Sequence, residues 1–205
     1  VSLRYYVYIS DSKVDMLLPQ VDPGFAGKRS TEVGVNLKVV TGKRKVESDA
    51  DRIARLERVV RHLDDFCDVG TIDEPGQYFR GRLAMRWKQA APGLVYFGGA
   101  TEDTVVGLGG ASGHIFGGTA PKDAVFAPSQ LPGLVQGLEA IAADDAAESS
   151  LELAYLANRN LRGDEQEVEF VAKRLRHGPS PYPELDGGKA VSVLVGSPLF
   201  VALAD

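Results

Sequence analysis

Cysteine is nearly missing from these 205 residues, with Cys67 standing alone. An internal disulfide is therefore excluded, and stability must come from burial, as in a reducing compartment. Besides that cysteine there are only His62, His114 and His177. None lies at ligand spacing, so no metal site is expected, and no motif calls for a cofactor. No apolar run approaches the roughly 20 residues of a membrane span. Nor is there a large excess of one charge. The 23 Lys and Arg against 28 Asp and Glu leave a net charge of −5, which argues against general affinity for nucleic acid or anionic membrane. The opening VSLRYYVYIS reads as a strand, without the basic start and apolar helix of a signal peptide, so a cytoplasmic place is expected.

What is present centres on Tyr78 to Gly118. Phe79, Leu83, Met85 and Trp87 alternate with Arg80, Arg82 and Arg86, which marks a strand with one packed face and one wet face. Leu94–Gly98 and Thr104–Gly110 follow, joined by only Ala100-Thr101-Glu102-Asp103. A connection that short makes a hairpin and cannot hold a parallel crossover, so the centre is an antiparallel meander.

Upstream, Leu3, Tyr5, Val7 and Ile9 share a strand face opposite Arg4, Tyr6, Tyr8 and Ser10. Ser12 and Asp15 have capping-box spacing, and Val14, Leu17, Leu18 and Val21 form a helical stripe. Pro19 is expected to hold that helix to about two turns. Glu32–Val40 reads as a strand with Val33, Val35, Leu37 and Val39 inward. Ser48–Cys67 is the strongest helix. Its Arg52, Arg55, Arg58 and Arg61 read as a solvated face supported by Asp51–Arg55 and Glu57–Arg61 pairs.

Downstream, Ser129 is expected to cap a helix through Ile141, and Ser149–Leu161 forms the next. A further helix is expected to open at Asp164, carrying Val168, Val171 and Leu175. Ala190–Ala204 is apolar on both faces and reads as a buried strand broken at Gly196-Ser197-Pro198. Such a strand must return to the sheet begun upstream. The expectation is a single α+β domain over residues 1–205. Its largely antiparallel sheet, with a central meander, would be covered on one face by four to five helices.

Several residues could carry chemistry. Gly107, Gly109 and Gly110, beside Gly98 and Gly99, bare a patch of sheet that either a ligand or a packing side chain must fill. Ser112 and His114 could act as nucleophile and base, with Asp11 among the candidate acids, although the nucleophile-elbow pattern is broken by His114. Ser10-Asp11-Ser12-Lys13 matches S-x-x-K without its companion motifs, and helix capping explains the same residues. Asp11, Lys13, Ser112 and His114 could form the polar groups of one ligand mouth. Arg80, Arg82 and Arg86 could receive a small anion, or simply face solvent.

YYVYISDSKVDMLLPQV, DVGTIDEPGQYFRGRLAMRW, LVYFGG, TVVGLGGASGH and the closing SPLFVALAD together resemble an actinomycete family known as a domain of unknown function. The resemblance runs nearly end to end and implies a bacterial, cytoplasmic protein. It implies no activity or site residue. The expected function is a ligand-sensing or protein-interaction module without catalysis, engaging a protein partner or a small anionic ligand. The alternatives are a hydrolase using Ser112 and His114 or the Ser10–Lys13 turn, and a phosphate- or nucleotide-binding domain.

Overall fold

The two-residue alternation along Tyr78–Ala91 builds the longest strand of the meander. In the computed structural model, which describes residues 3–22, 49–117, 131–142 and 149–204, the strands are β1 (Tyr5–Ile9), β2 (Val69–Gly70), β3 (Tyr78–Ala91), β4 (Leu94–Ala100), β5 (Thr104–Ala111), β6 (Gln166–Pro179) and β7 (Ser192–Leu203). The helices are α1 (Asp11–Val21), α2 (Asp49–Phe66), α3 (Leu131–Ala142) and α4 (Ser150–Asn160). They fall into two compact units, residues 1–10 with 68–205, and residues 11–67. The expected strand over Glu32–Val40 and the caps at Ser48 and Ser129 lie outside the described residues.

The larger unit is α+β, and the meander β3-β4-β5 forms as expected. Most strand pairs are antiparallel, as expected, but the sheet is not simply one covered on a face by helices. β6 pairs antiparallel with both β3 and β7, and β7 lies parallel to β5. The order β3-β4-β5-β7-β6 thus closes on itself as a mixed five-stranded barrel, with β1 added beside β7 and β2 beside β3. Closure removes the edges of the five barrel strands.

β6 replaces the expected fourth helix. Val168, Phe170 and Ala172 point inward at a period of two, while Glu167 and Glu169 face out and pair with Arg82 and Arg4. Two neighbouring strands satisfy its backbone, which overrides the helical spacing of Val168, Val171 and Leu175.

β7 is a single strand rather than two. Along one side it pairs β6, and along the other it leaves parallel β5 after Gly196 and takes up antiparallel β1 from Phe200. Pro198, which has no N–H to give, stands at that change of partner, where the pairing with β6 also shifts register.

The barrel interior is filled by side chains, among them Phe79, Met85, Val95, Phe97, Leu108, Phe170 and Val201. A small barrel has room for little else. A second apolar cluster lies outside it, where Leu94, Tyr96, Val193 and Val195 meet Leu134 and Leu138 of α3 and Leu153, Tyr155 and Leu161 from the α4 region. This is why β4 is buried on both faces. In β1 the tyrosine face is the buried one: Tyr6 and Tyr8 are inside and Tyr5 is exposed.

In the smaller unit α1 runs through Pro19 for 11 residues, longer than expected. Arg52 and Arg55 of α2 are buried rather than solvated. They reach Asp11 at 2.9 Å and Asp15 at 3.0 Å, and Arg58 reaches Asp22 at 3.4 Å. The pairs rise in number together along both helices, so α1 and α2 run in the same direction.

Candidate functional site

Glycines on neighbouring strands let helices approach the barrel wall. A Cβ on Gly109 would overlap Leu134 Cδ1, one on Gly107 would overlap the Tyr96 hydroxyl, and one on Gly98 would overlap Asn158 Oδ1. Gly110 likewise lies under the Tyr8 hydroxyl. The bare patch is therefore filled by side chains, as interiors close-packed elsewhere require.

Beside the filled patch a pocket of about 310 Å³ remains open. Gly98, Gly99 and Ala100 of β4 line it with Ala84 and Arg86 of β3 and Val105 of β5. Tyr155, Asn158 and Arg159 come from α4, Glu165 from the approach to β6, and Asp186 from the β6–β7 connection. Ser149 and Glu152 start α4 with a reciprocal capping box, which fixes the helix end and hence the direction of these side chains.

Most of the polar groups are already engaged. Arg86 Nη1 lies 2.9 Å from Glu165 Oε1, and its Nε donates to the Gly163 carbonyl at 2.9 Å. The Asn158 amide nitrogen donates to Tyr96 Oη at 2.8 Å and to the Ala154 carbonyl at 3.0 Å. The Tyr155 hydroxyl donates to Asp186 Oδ1 at 2.7 Å. Burial first, and then this carboxylate, raise the Tyr155 pKa, although Arg159 acts the other way, so the hydroxyl stays a donor.

Two of the charged groups stand outside any ion pair among the described residues. Asp186 Oδ2 is buried and accepts no hydrogen bond among the described residues. Leaving an acceptor so costs about 1–3 kcal/mol when fully desolvated, and less here because the side chain is only half-buried. Arg159 is exposed, with its guanidinium carbon 5.9 Å from the Tyr155 ring centre, and no carboxylate among the described residues pairs with it.

Residues 4–205 match the model of a single family. The chain belongs to the family of unknown function DUF7019. No curated protein and no solved structure matches it significantly.

Of the residues singled out from sequence, this DUF7019 chain brings Arg86, Gly98 and Gly99 to the pocket. Arg82 pairs with Glu167 at 3.2 Å on the outer barrel wall, and Arg80 is exposed there. Ser112 and His114 form a short 3-10 turn after β5, both buried. Ser112 Oγ has no hydrogen-bond partner among the described residues, so His114 does not hold it as a general base holds a nucleophile. Asp11 and Lys13 belong to the other unit, where Asp11 pairs with Arg52. Among the described residues no cluster of His, Cys, Asp and Glu could hold a metal, and no helix is long and apolar enough to cross a membrane.

Tyr155, Asn158, Arg159, Glu165 and Asp186 were not legible as a site. The one sequence signal is that Tyr155, Asn158 and Arg159 stand at i, i+3 and i+4, polar positions sharing one face of the helix.

Proposed function

We propose that this DUF7019 chain is a non-catalytic, ligand-sensing module of the bacterial cytoplasm that binds a small polar molecule in the pocket between the barrel wall and α4. The observation that carries this reading is the pocket's charge balance. Arg86 and Arg159 stand against Glu165 and Asp186, and a glycine-rich wall leaves room beside them. A phosphate or nucleotide would add net negative charge to a site whose two arginines are already balanced by two carboxylates. A molecule with no net charge keeps that balance. At about 310 Å³ the space lies at the small end of ligand pockets, which suits one compact molecule rather than an oligomer.

Connectivity supports the same place by analogy. Counted along the chain, the five barrel strands neighbour one another in the order 1-2-3-5-4 and then close, with the third and fifth parallel. OB-folds share this connectivity and bind ligands on the outer face of strands 2 and 3 and on the loop between strands 4 and 5. Here α3 and α4 occupy most of that face. The pocket is what they leave open, and Asp186 comes from the equivalent loop.

The test is thermal denaturation of the full chain with a panel of small polar metabolites, beside an Ala100→Trp variant. Ala100 is exposed at the pocket wall, so an indole there closes the space without burdening the core. At least one neutral compound should raise the wild-type melting temperature and leave the variant unmoved. Equal shifts in both proteins, or shifts from inorganic phosphate and nucleotides alone, would contradict the reading.

A further inference from the structure

The ligand's chemistry can be narrowed further, on the reading that this pocket binds a small molecule. Arg86 already gives Nη1 to Glu165 and Nε to the Gly163 carbonyl, and the Asn158 amide nitrogen is taken by Tyr96 and Ala154. Of the charged groups, Asp186 Oδ2 is the buried acceptor without a hydrogen bond, and Arg159 is the cation that no carboxylate among the described residues pairs with. Both flank the same Tyr155 side chain, one at its hydroxyl and the other over its ring. We propose that the pocket takes a free α-amino acid or a close zwitterionic relative, its ammonium on Asp186 Oδ2 and its carboxylate on Arg159.

The complementarity is stepwise. An ammonium supplies donors to an oxygen that otherwise has none, and a charged partner gives the shorter, stronger bond. A carboxylate matches the planar fork of an arginine, which a hydroxyl does with one bond only. A zwitterion satisfies both without adding net charge to a balanced site. The apolar wall of Ala84, Ala100 and Val105 is left for the side chain.

Reaching Oδ2 requires the β6–β7 connection to lift, because that oxygen has almost no exposed surface in this structure. Gly187 and Gly188 directly follow Asp186 at φ of 65° and 78°, a conformation other residues rarely adopt, and so give the connection a pivot beside the carboxylate. The Tyr155–Asp186 hydrogen bond holds it down until a ligand donor competes for the carboxylate.

The experiment is isothermal titration of the full chain with the free proteinogenic L-amino acids, each compared with its N-acetyl and carboxamide derivatives, and with glucose. The inference predicts that at least one amino acid binds and that blocking either end weakens it at least tenfold. Asp186→Asn should weaken the free amino acid while leaving its N-acetyl derivative unchanged, and Arg159→Met should do the same with respect to the carboxamide. An N-acetyl or carboxamide form binding as well as its parent overturns the assignment. So does the absence of binding by every free amino acid. In that last case a glucose signal lost in Ala100→Trp would keep the pocket and discard only the zwitterion, whereas a glucose signal retained there discards both.

Discussion

Tyr155 donates a 2.7 Å hydrogen bond to Asp186 across 31 residues of sequence, tying α4 to the connection between β6 and β7. Tyr155→Phe removes that tie and keeps the ring. The expected loss is about 1.5 kcal/mol, the low end for a hydrogen bond to a charged group, since Asp186 is only half-buried. Amide exchange over residues 182–189 should quicken more than exchange in the barrel strands. Unchanged protection there would mean that the connection is held by something else.

Leu134 of α3 covers Gly109, and Gly109→Val should cost about 1–3 kcal/mol by overpacking. The cost is local to that pair, so adding Leu134→Ala should return part of it. Urea unfolding of the two single variants and the double one measures the coupling. Strict additivity would show that the glycine patch does not serve as the seat of α3.

Tyr96 is fully buried, and burial raises its pKa far above the ordinary 10.0. The folded state therefore favours the neutral phenol. Its contribution is complete below the unfolded value near 10 and is lost progressively as pH rises beyond it. Melting temperature should fall steeply above pH 10. Tyr96→Phe, less stable at pH 7 because Asn158 loses one of its two acceptors, should show a shallower fall. Parallel curves for the two proteins would remove Tyr96 as the cause.

Arg52 sits buried in the smaller unit with Asp11 at 2.9 Å and Asp49 at 3.3 Å. Arg52→Met leaves Asp11 without that partner and should destabilise toward the lower end of the roughly 3–5 kcal/mol seen when one member of a buried pair is removed. Pairing it with Asp11→Leu should recover much of the loss in chemical denaturation. A single variant as stable as wild type would return these arginines to the solvated role their sequence spacing suggests.

The meander was legible because two local signals agree: strict alternation in Phe79, Leu83 and Met85, and a connection too short for anything but a hairpin. The return of the last strand was legible in the two-sided apolarity of Val193–Val195 and Leu199–Ala202. Barrel closure was not. It depends on β6, whose Val168, Val171 and Leu175 also satisfy a helical period, and only pairing with β3 and β7 decides between the two. Arg52 and Arg55 of α2 departed from expectation for a similar reason, whereas Arg58 and Arg61 are exposed as expected. Acids four residues away on the same helix offered local partners, while Arg52 and Arg55 also reach Asp11 and Asp15 of α1, which no spacing within α2 announces. The pocket is assembled from strand, helix and a connection that reads as linker, so no window of sequence holds it. Arg86 was found because it lies on the one strand whose two faces could be told apart.

Native mass spectrometry of the full chain, incubated with a small-molecule bacterial extract, bears most directly on the claim that the space beside Gly98 and Arg159 is a binding site. The account predicts one adduct per chain, of the mass of a single compact metabolite, present in wild type and absent in Ala100→Trp. Bare mass in both proteins, or an adduct of equal intensity in both, would contradict it.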